Sequence, residues 1–137
     1  MPVARPDLCL KEPPKLSLDE VEALTLNGAY DFASPVSKEG TLRSAGILSR
    51  TKLAPEAART AFQLLSNPKM YGGEPMRCFV PRHGLRFLGK EAHAEILICL
   101  ECYWIYFFYG AERVVASLDE GGRRSLERFF SDVIKPA

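Results

Sequence analysis

Between Ile96 and Tyr109 the chain carries Ile, Leu, Cys, Tyr, Trp or Phe at every position but Glu101. That run limits the folds open to this protein. Aromatic and β-branched residues favour strands, so the tract predicts one long strand over 92–109. Side chains alternate between faces along a strand. Ile96, Ile98, Leu100, Cys102, Trp104, Tyr106 and Phe108 share one face, and Leu97, Cys99, Tyr103, Ile105, Phe107 and Tyr109 the other. A strand apolar on both sides belongs in the middle of a covered sheet. Glu101 interrupts the run, which is shorter than the roughly 20 apolar residues of a membrane helix.

The flanking signals predict a meander. Arg77 to Val80 and Leu85 to Leu88 read as strand, broken at Pro81, with a tight turn at Gly89-Lys90. Gly110-Ala111 suits a type II′ hairpin, and Glu112 to Leu118 reads as the next strand. Asp119 caps a last helix whose apolar residues, Leu126, Phe129, Phe130, Val133 and Ile134, fall on one face. Upstream, Ser17 and Glu20 match a capping box, followed by Leu18, Val21 and Leu24 at helical spacing, with an end at Asn27-Gly28. Pro55 opens a second helix with Ala58, Phe62 and Leu65 as its stripe, stopped by Asn67-Pro68. Residues 1–15 are rich in proline and read as an extended arm. From Ala29 to Thr51 the pattern is mixed, with turn signals at Ser34-Pro35 and Glu39-Gly40. The expected architecture is therefore α+β: two N-terminal helices, an antiparallel meander and a closing C-terminal helix, all in a single domain over 1–137.

Composition narrows the function classes. The chain has 137 residues, 47% hydrophobic and 26% charged, with a net charge of +1. That length suits one domain able to bury a core without metal or disulfide. Basic and acidic residues alternate instead of clustering, so no phosphate-binding footprint is visible and no nucleic-acid partner is expected. The N-terminus lacks a signal-peptide run, so a cytoplasmic location without membrane attachment is expected.

Chemistry concentrates in Cys78, Cys99 and Cys102. A turn at Gly89-Lys90 pairs Leu88 with Glu91, placing Val80 opposite Cys99 and Cys78 opposite Glu101, within a residue or two. Cys78 then lies beside the Cys99–Cys102 pair. Three thiols with His83, His93 or Cys9 as a fourth ligand could hold zinc. In a flat strand, however, Cys99 and Cys102 face opposite ways, and a shared metal needs a bulge. His83 joins only if the chain folds back at Pro81. A redox pair and buried free thiols are the other readings. A thioredoxin-type thiol sits at a helix N-terminus, whereas an apolar strand should raise the pKa of Cys99.

Arg82, His83 and Arg86 form a second feature, a polar kink that could meet a partner protein. No G-x-S-x-G, P-loop, G-x-G-x-x-G or H-E-x-x-H occurs, so the expectation leans away from an enzyme, and no small-molecule substrate is identified. The tract Cys78-Phe79-Val80-Pro81-Arg82-His83-Gly84-Leu85-Arg86-Phe87, followed by Ile96-Leu97-Ile98-Cys99-Leu100-Glu101-Cys102, resembles small uncharacterised bacterial proteins with a C-x-x-P-x-H-G-x-x-F and then I-C-x-x-C pattern. The resemblance implies that Cys78, Pro81, Cys99 and Cys102 belong together, and it implies no activity. The leading functional expectation is a small non-catalytic interaction domain, one form being a bacterial immunity-type inhibitor of a toxin. The alternative is a zinc module or thiol redox protein built on the cysteine cluster.

Overall fold

The computed structural model describes residues 20–28, 46–88, 93–109 and 112–134. Among these residues six strands form one antiparallel sheet: β1 (Val21–Leu26), β2 (Ile47–Lys52), β3 (His83–Leu88), β4 (His93–Cys99), β5 (Trp104–Tyr109) and β6 (Glu112–Ser117). Their order is β2-β1-β3-β4-β5-β6. Two helices, α1 (Pro55–Ser66) and α2 (Glu120–Val133), pack on one face.

Each helix follows from its local chemistry. Pro55 stands in the first turn of α1, where a missing N–H costs nothing, and Asn67 ends the helix. The Asp119 carboxylate accepts the Gly122 N–H at 2.6 Å and caps α2. Ala58, Ala61 and Leu65 of α1, with Leu126, Phe129 and Phe130 of α2, meet Leu85, Phe87, Ile96, Ile98, Ile105 and Phe107 of the sheet. The other sheet face carries a second apolar cluster of Leu24, Leu26, Leu97, Cys99, Tyr106 and Phe108. Phe79 lies on it, its ring stacked 3.9 Å from that of Tyr106.

The strand-rich α+β class fits, but the expected helix arrangement does not. The segment assigned to a first N-terminal helix is β1. Leu18, Val21 and Leu24 mimic a helical stripe, yet Val21 and Ala23 turn to the helical core while Leu24 and Leu26 turn to the opposite cluster. That two-sided burial is the pattern of an inner strand, and β1 lies between β2 and β3. The mixed stretch before Thr51 contains β2, which no pattern announced. The single long strand is also two strands, β4 and β5, hinged at Leu100–Tyr103. Arg77 to Val80 is irregular, and β3 starts only at His83. Leu88 pairs with His93, two residues beyond the partner expected from a two-residue turn. The turns foreseen at Gly89-Lys90, Gly110-Ala111, Ser34-Pro35 and Glu39-Gly40, the arm over 1–15 and Cys9 lie outside the described residues.

The approach of α2 to the short turn Pro68–Met70 depends on a glycine. A Cβ at Gly122 would run into the Met70 carbonyl, whereas at the exposed Gly121 it would meet only a side-chain oxygen of Asp119 at 3.5 Å. Gly122→Ala is therefore expected to destabilise the fold by about 1–3 kcal/mol. Gly121→Ala should leave stability unchanged or raise it by up to about 1 kcal/mol. Urea unfolding of the two variants checks the contrast.

Candidate functional site

Beyond an isolated bridge between Tyr71 and Leu118, the segment from Tyr71 to Arg82 has no regular structure, and its second half lies along the sheet face opposite the helices. We call it the strap. It is fastened by both backbone and side-chain contacts. Gly72 N–H donates to the Ser117 carbonyl at 3.1 Å, and Met76 N–H to the Cys102 carbonyl at 2.9 Å. The Trp104 indole N–H donates to the Met76 carbonyl at 2.6 Å. Phe79 sits on Tyr106, and the Arg82 carbonyl accepts the Leu26 N–H at 2.9 Å. Between these points Cys78 and Cys102 form a disulfide, with Cα atoms 6.1 Å apart.

Cys102 belongs to the tight turn between β4 and β5. Tyr103, directly after it, is the one non-glycine residue with positive φ among the described residues, at 61°. That conformation costs an ordinary residue about 1–2 kcal/mol. Contacts around Tyr103 hold it in place. Its carbonyl accepts the Leu118 N–H at 2.9 Å, its hydroxyl donates to the Glu120 carboxylate, and the Arg123 guanidinium lies 5.6 Å from its ring centre. The C-x-x-C is thus a pinned turn and not the flat strand expected.

The two ends of the disulfide differ in access. Cys78 is exposed, whereas Cys102 is 2% exposed. The third thiol, Cys99, is free and buried at 1%. Its Sγ accepts the Cys102 N–H at 3.2 Å. Burial pushes the Cys99 thiol above its ordinary pKa. Backbone N–H groups of Val80, Cys102 and Glu101 pull the other way, and the Glu101 charge adds to the rise. The upward direction matches the expectation drawn from the apolar surroundings.

The remaining predicted residues disperse. His83 pairs with Ile98 on the helical face, and its ring lies 4.7 Å from that of Phe130. It is therefore turned away from the cysteines. Burial lowers its pKa, opposed by Glu127. His93 begins β4. Among the described residues no group of three or more His, Cys, Asp or Glu side chains is placed to hold a metal. The set Cys78, Cys99, Cys102 and His83 is not gathered at one point, and two of its thiols are spent on the disulfide. Arg82 is exposed and lies 3.8 Å from Glu101. These two line a small cleft with Val80, His83 and Leu100.

Arg86 is committed elsewhere. The register aligns Glu22, Arg86 and Glu95 across β1, β3 and β4. Arg86 lies 3.7 Å from Glu22 and 3.3 Å from Glu95, and Arg50 of β2 lies 3.9 Å from Glu22. Sequence reasoning singled out Arg86 but missed its partners: Glu22 lies on a strand far away in the chain, and Glu95 stands two positions beyond the register that a two-residue turn sets. Met76, Trp104 and Tyr103, which shape the cysteine corner, carried no local signal either.

The chain matches no family model, no curated protein and no solved structure. Among the described residues no helix is long and apolar enough to cross a membrane.

Glu95 provides a test of the ion row. It is 3% exposed, and burial raises its pKa against the pull of Arg86. A carboxyl whose folded pKa is raised binds more protons in the folded state. Its contribution to stability is full below the unfolded pKa and is lost as pH rises through the folded value. Glu95→Gln should therefore gain stability relative to the parent as pH climbs above the ordinary carboxylate range, and the difference should shrink on acidification. Paired urea titrations at several pH values measure it.

Proposed function

We propose that this protein is a thiol–disulfide redox protein whose exchange pair is Cys78 and Cys102. One observation carries the reading: the disulfide joins an exposed cysteine to a buried one. Exposed disulfides are the labile and regulatory class, and access decides which sulfur is attacked. An incoming thiolate would bond to Cys78 Sγ, the Cys78–Cys102 bond would break, and Cys102 would leave as a thiolate and take up a proton. A second thiol on the same donor would then displace Cys78, leaving the donor oxidised and both cysteines reduced. In the cytoplasm, the location this proposal adopts, such a bond is transient and not a permanent staple. The natural donor would be a protein or small molecule bearing paired thiols.

Equilibration in glutathione buffers of graded potential, followed by acid quench and alkylation, tests this. A reversible two-electron transition is expected. In the reduced protein Cys78 should alkylate at least about tenfold faster than Cys99, because reactivity follows exposure and thiolate fraction. A bond that never forms, or that every glutathione buffer leaves intact, would remove the reading.

The interaction-domain reading has its own support. The outer strand β2 of the described sheet bears Leu48 at 66% exposure, and Arg82 and Glu101 stand exposed at the cysteine corner. An immunity-type inhibitor would be one form of such a domain, meeting another protein through a surface of this kind. Photo-crosslinkers placed at Leu48 and Arg82 should capture the same protein from cell extract, and one at the exposed Arg128 of α2 should not. Equal capture from all three positions would remove this reading.

A further inference from the structure

We propose that Cys99 is a third thiol of the same centre, able to displace Cys78 from Cys102 and so release the strap. This rests on the redox reading of the Cys78–Cys102 pair. The placement of Cys99 carries it. Its Sγ lies 3.2 Å from the backbone nitrogen of Cys102, the residue whose sulfur it would attack. Cysteines three residues apart on a tight turn are close enough to bridge once their sulfurs face one another. A buried thiol that only filled space would need no polar contact, since free cysteine packs as a small hydrophobe. Here the backbone N–H of Cys102 in the turn is aimed at the sulfur. Donors aimed at sulfur favour the thiolate over the thiol, and the thiolate is the attacking species.

The step balances without an outside oxidant. Cys99 loses its proton to solvent base, and its thiolate bonds to Cys102 Sγ. The Cys78–Cys102 bond breaks, and Cys78 leaves as a thiolate that is protonated in solvent. One disulfide and one thiol are present before and after. The leaving group is the exposed residue, so its thiolate is hydrated as it forms. The new bridge closes within the β4–β5 turn, and the strap keeps only its hydrogen bonds and the Phe79 contact there. Cys78 emerges as a solvent-facing thiol open to modification by an external disulfide. Burial keeps Cys99 largely protonated near neutral pH, so the exchange is slow there and accelerates with alkali.

The 137-residue chain carrying Cys9→Ser, which takes the fourth cysteine out of the exchange, provides the test. Air-oxidised protein is held without reductant between pH 7 and 9, quenched in acid at intervals, alkylated and digested with trypsin. Cleavage after Arg77 and Arg82 isolates Cys78, while Cys99 and Cys102 share the fragment from Glu91 to Arg113. The expected result is alkylated Cys78 growing with time, matched by a Cys99–Cys102 fragment two hydrogens lighter, with a rate rising about tenfold per pH unit below the thiol pKa. Cys99→Ala and Cys99→Ser should each hold Cys78 in its bridge. A Cys78 that stays bridged in the parent at every pH, yet is freed by dithiothreitol, overturns the role of Cys99 and leaves the redox pair standing. Oxidised protein in which Cys102 is bridged to neither Cys78 nor Cys99 overturns both.

Discussion

A sheet that is apolar on both faces has to be covered on both, and the architecture follows from that need. One face is served by α1 and α2, whose stripes are dictated by helical spacing. On the other, Phe79 and Val80 arrive from the strap, a segment with no ladder or helix of its own. Irregular backbone has few internal hydrogen bonds, so its order must come from contacts with its support. That explains why the strap is tied so often and why the ties differ in kind. Backbone bonds hold both ends, an indole and an aromatic stack hold the middle, and one covalent link lies between them. The disulfide is thus part of a general solution to packing an unstructured segment on a sheet.

The second face is not uniformly apolar. Glu22, Arg86 and Glu95 cross it as a row, near the cluster that holds Leu97 and Phe108. A row of alternating charge on adjacent strands tolerates only one register, because a slip by a single residue would send each side chain to the other face. The same alignment sets Cys99 opposite Trp104 and brings β5 under the strap. Charge pairing and the geometry of the cysteine corner are therefore fixed by one set of strand registers. Arg86, which looked like a contact for a partner, belongs to this internal order.

Much of the C-terminal half was legible in the residues. The Asp119 cap, the stripe from Leu126 to Phe130 and the proline start of α1 are local features, and local chemistry decided them. The nearness of Cys78 to the C-x-x-C was also legible, although Arg77 to Val80 is irregular and not the strand expected: the hairpin of β3 and β4 still returns the chain beside the strap. Three features were not. In β1 a helical and an alternating pattern coincide over six residues, and only its neighbours on both sides resolve the ambiguity. The turn at Leu100–Tyr103 contains no glycine or proline, and a tyrosine takes the left-handed position because α2 supplies it with partners. His83 sits one strand position from where it would reach the thiols, and the pleat sends it to Phe130 instead.

Trp104 is the single tryptophan of the chain, and its indole is bonded to Met76, two residues before Cys78 and two after Cys102. Disulfides quench indole emission at short range, and thiols do so far less. The protein thus carries an optical gauge at its most reactive corner. Reduction of the disulfide beside it should therefore raise its intrinsic emission, with no label and no disturbance of the strap.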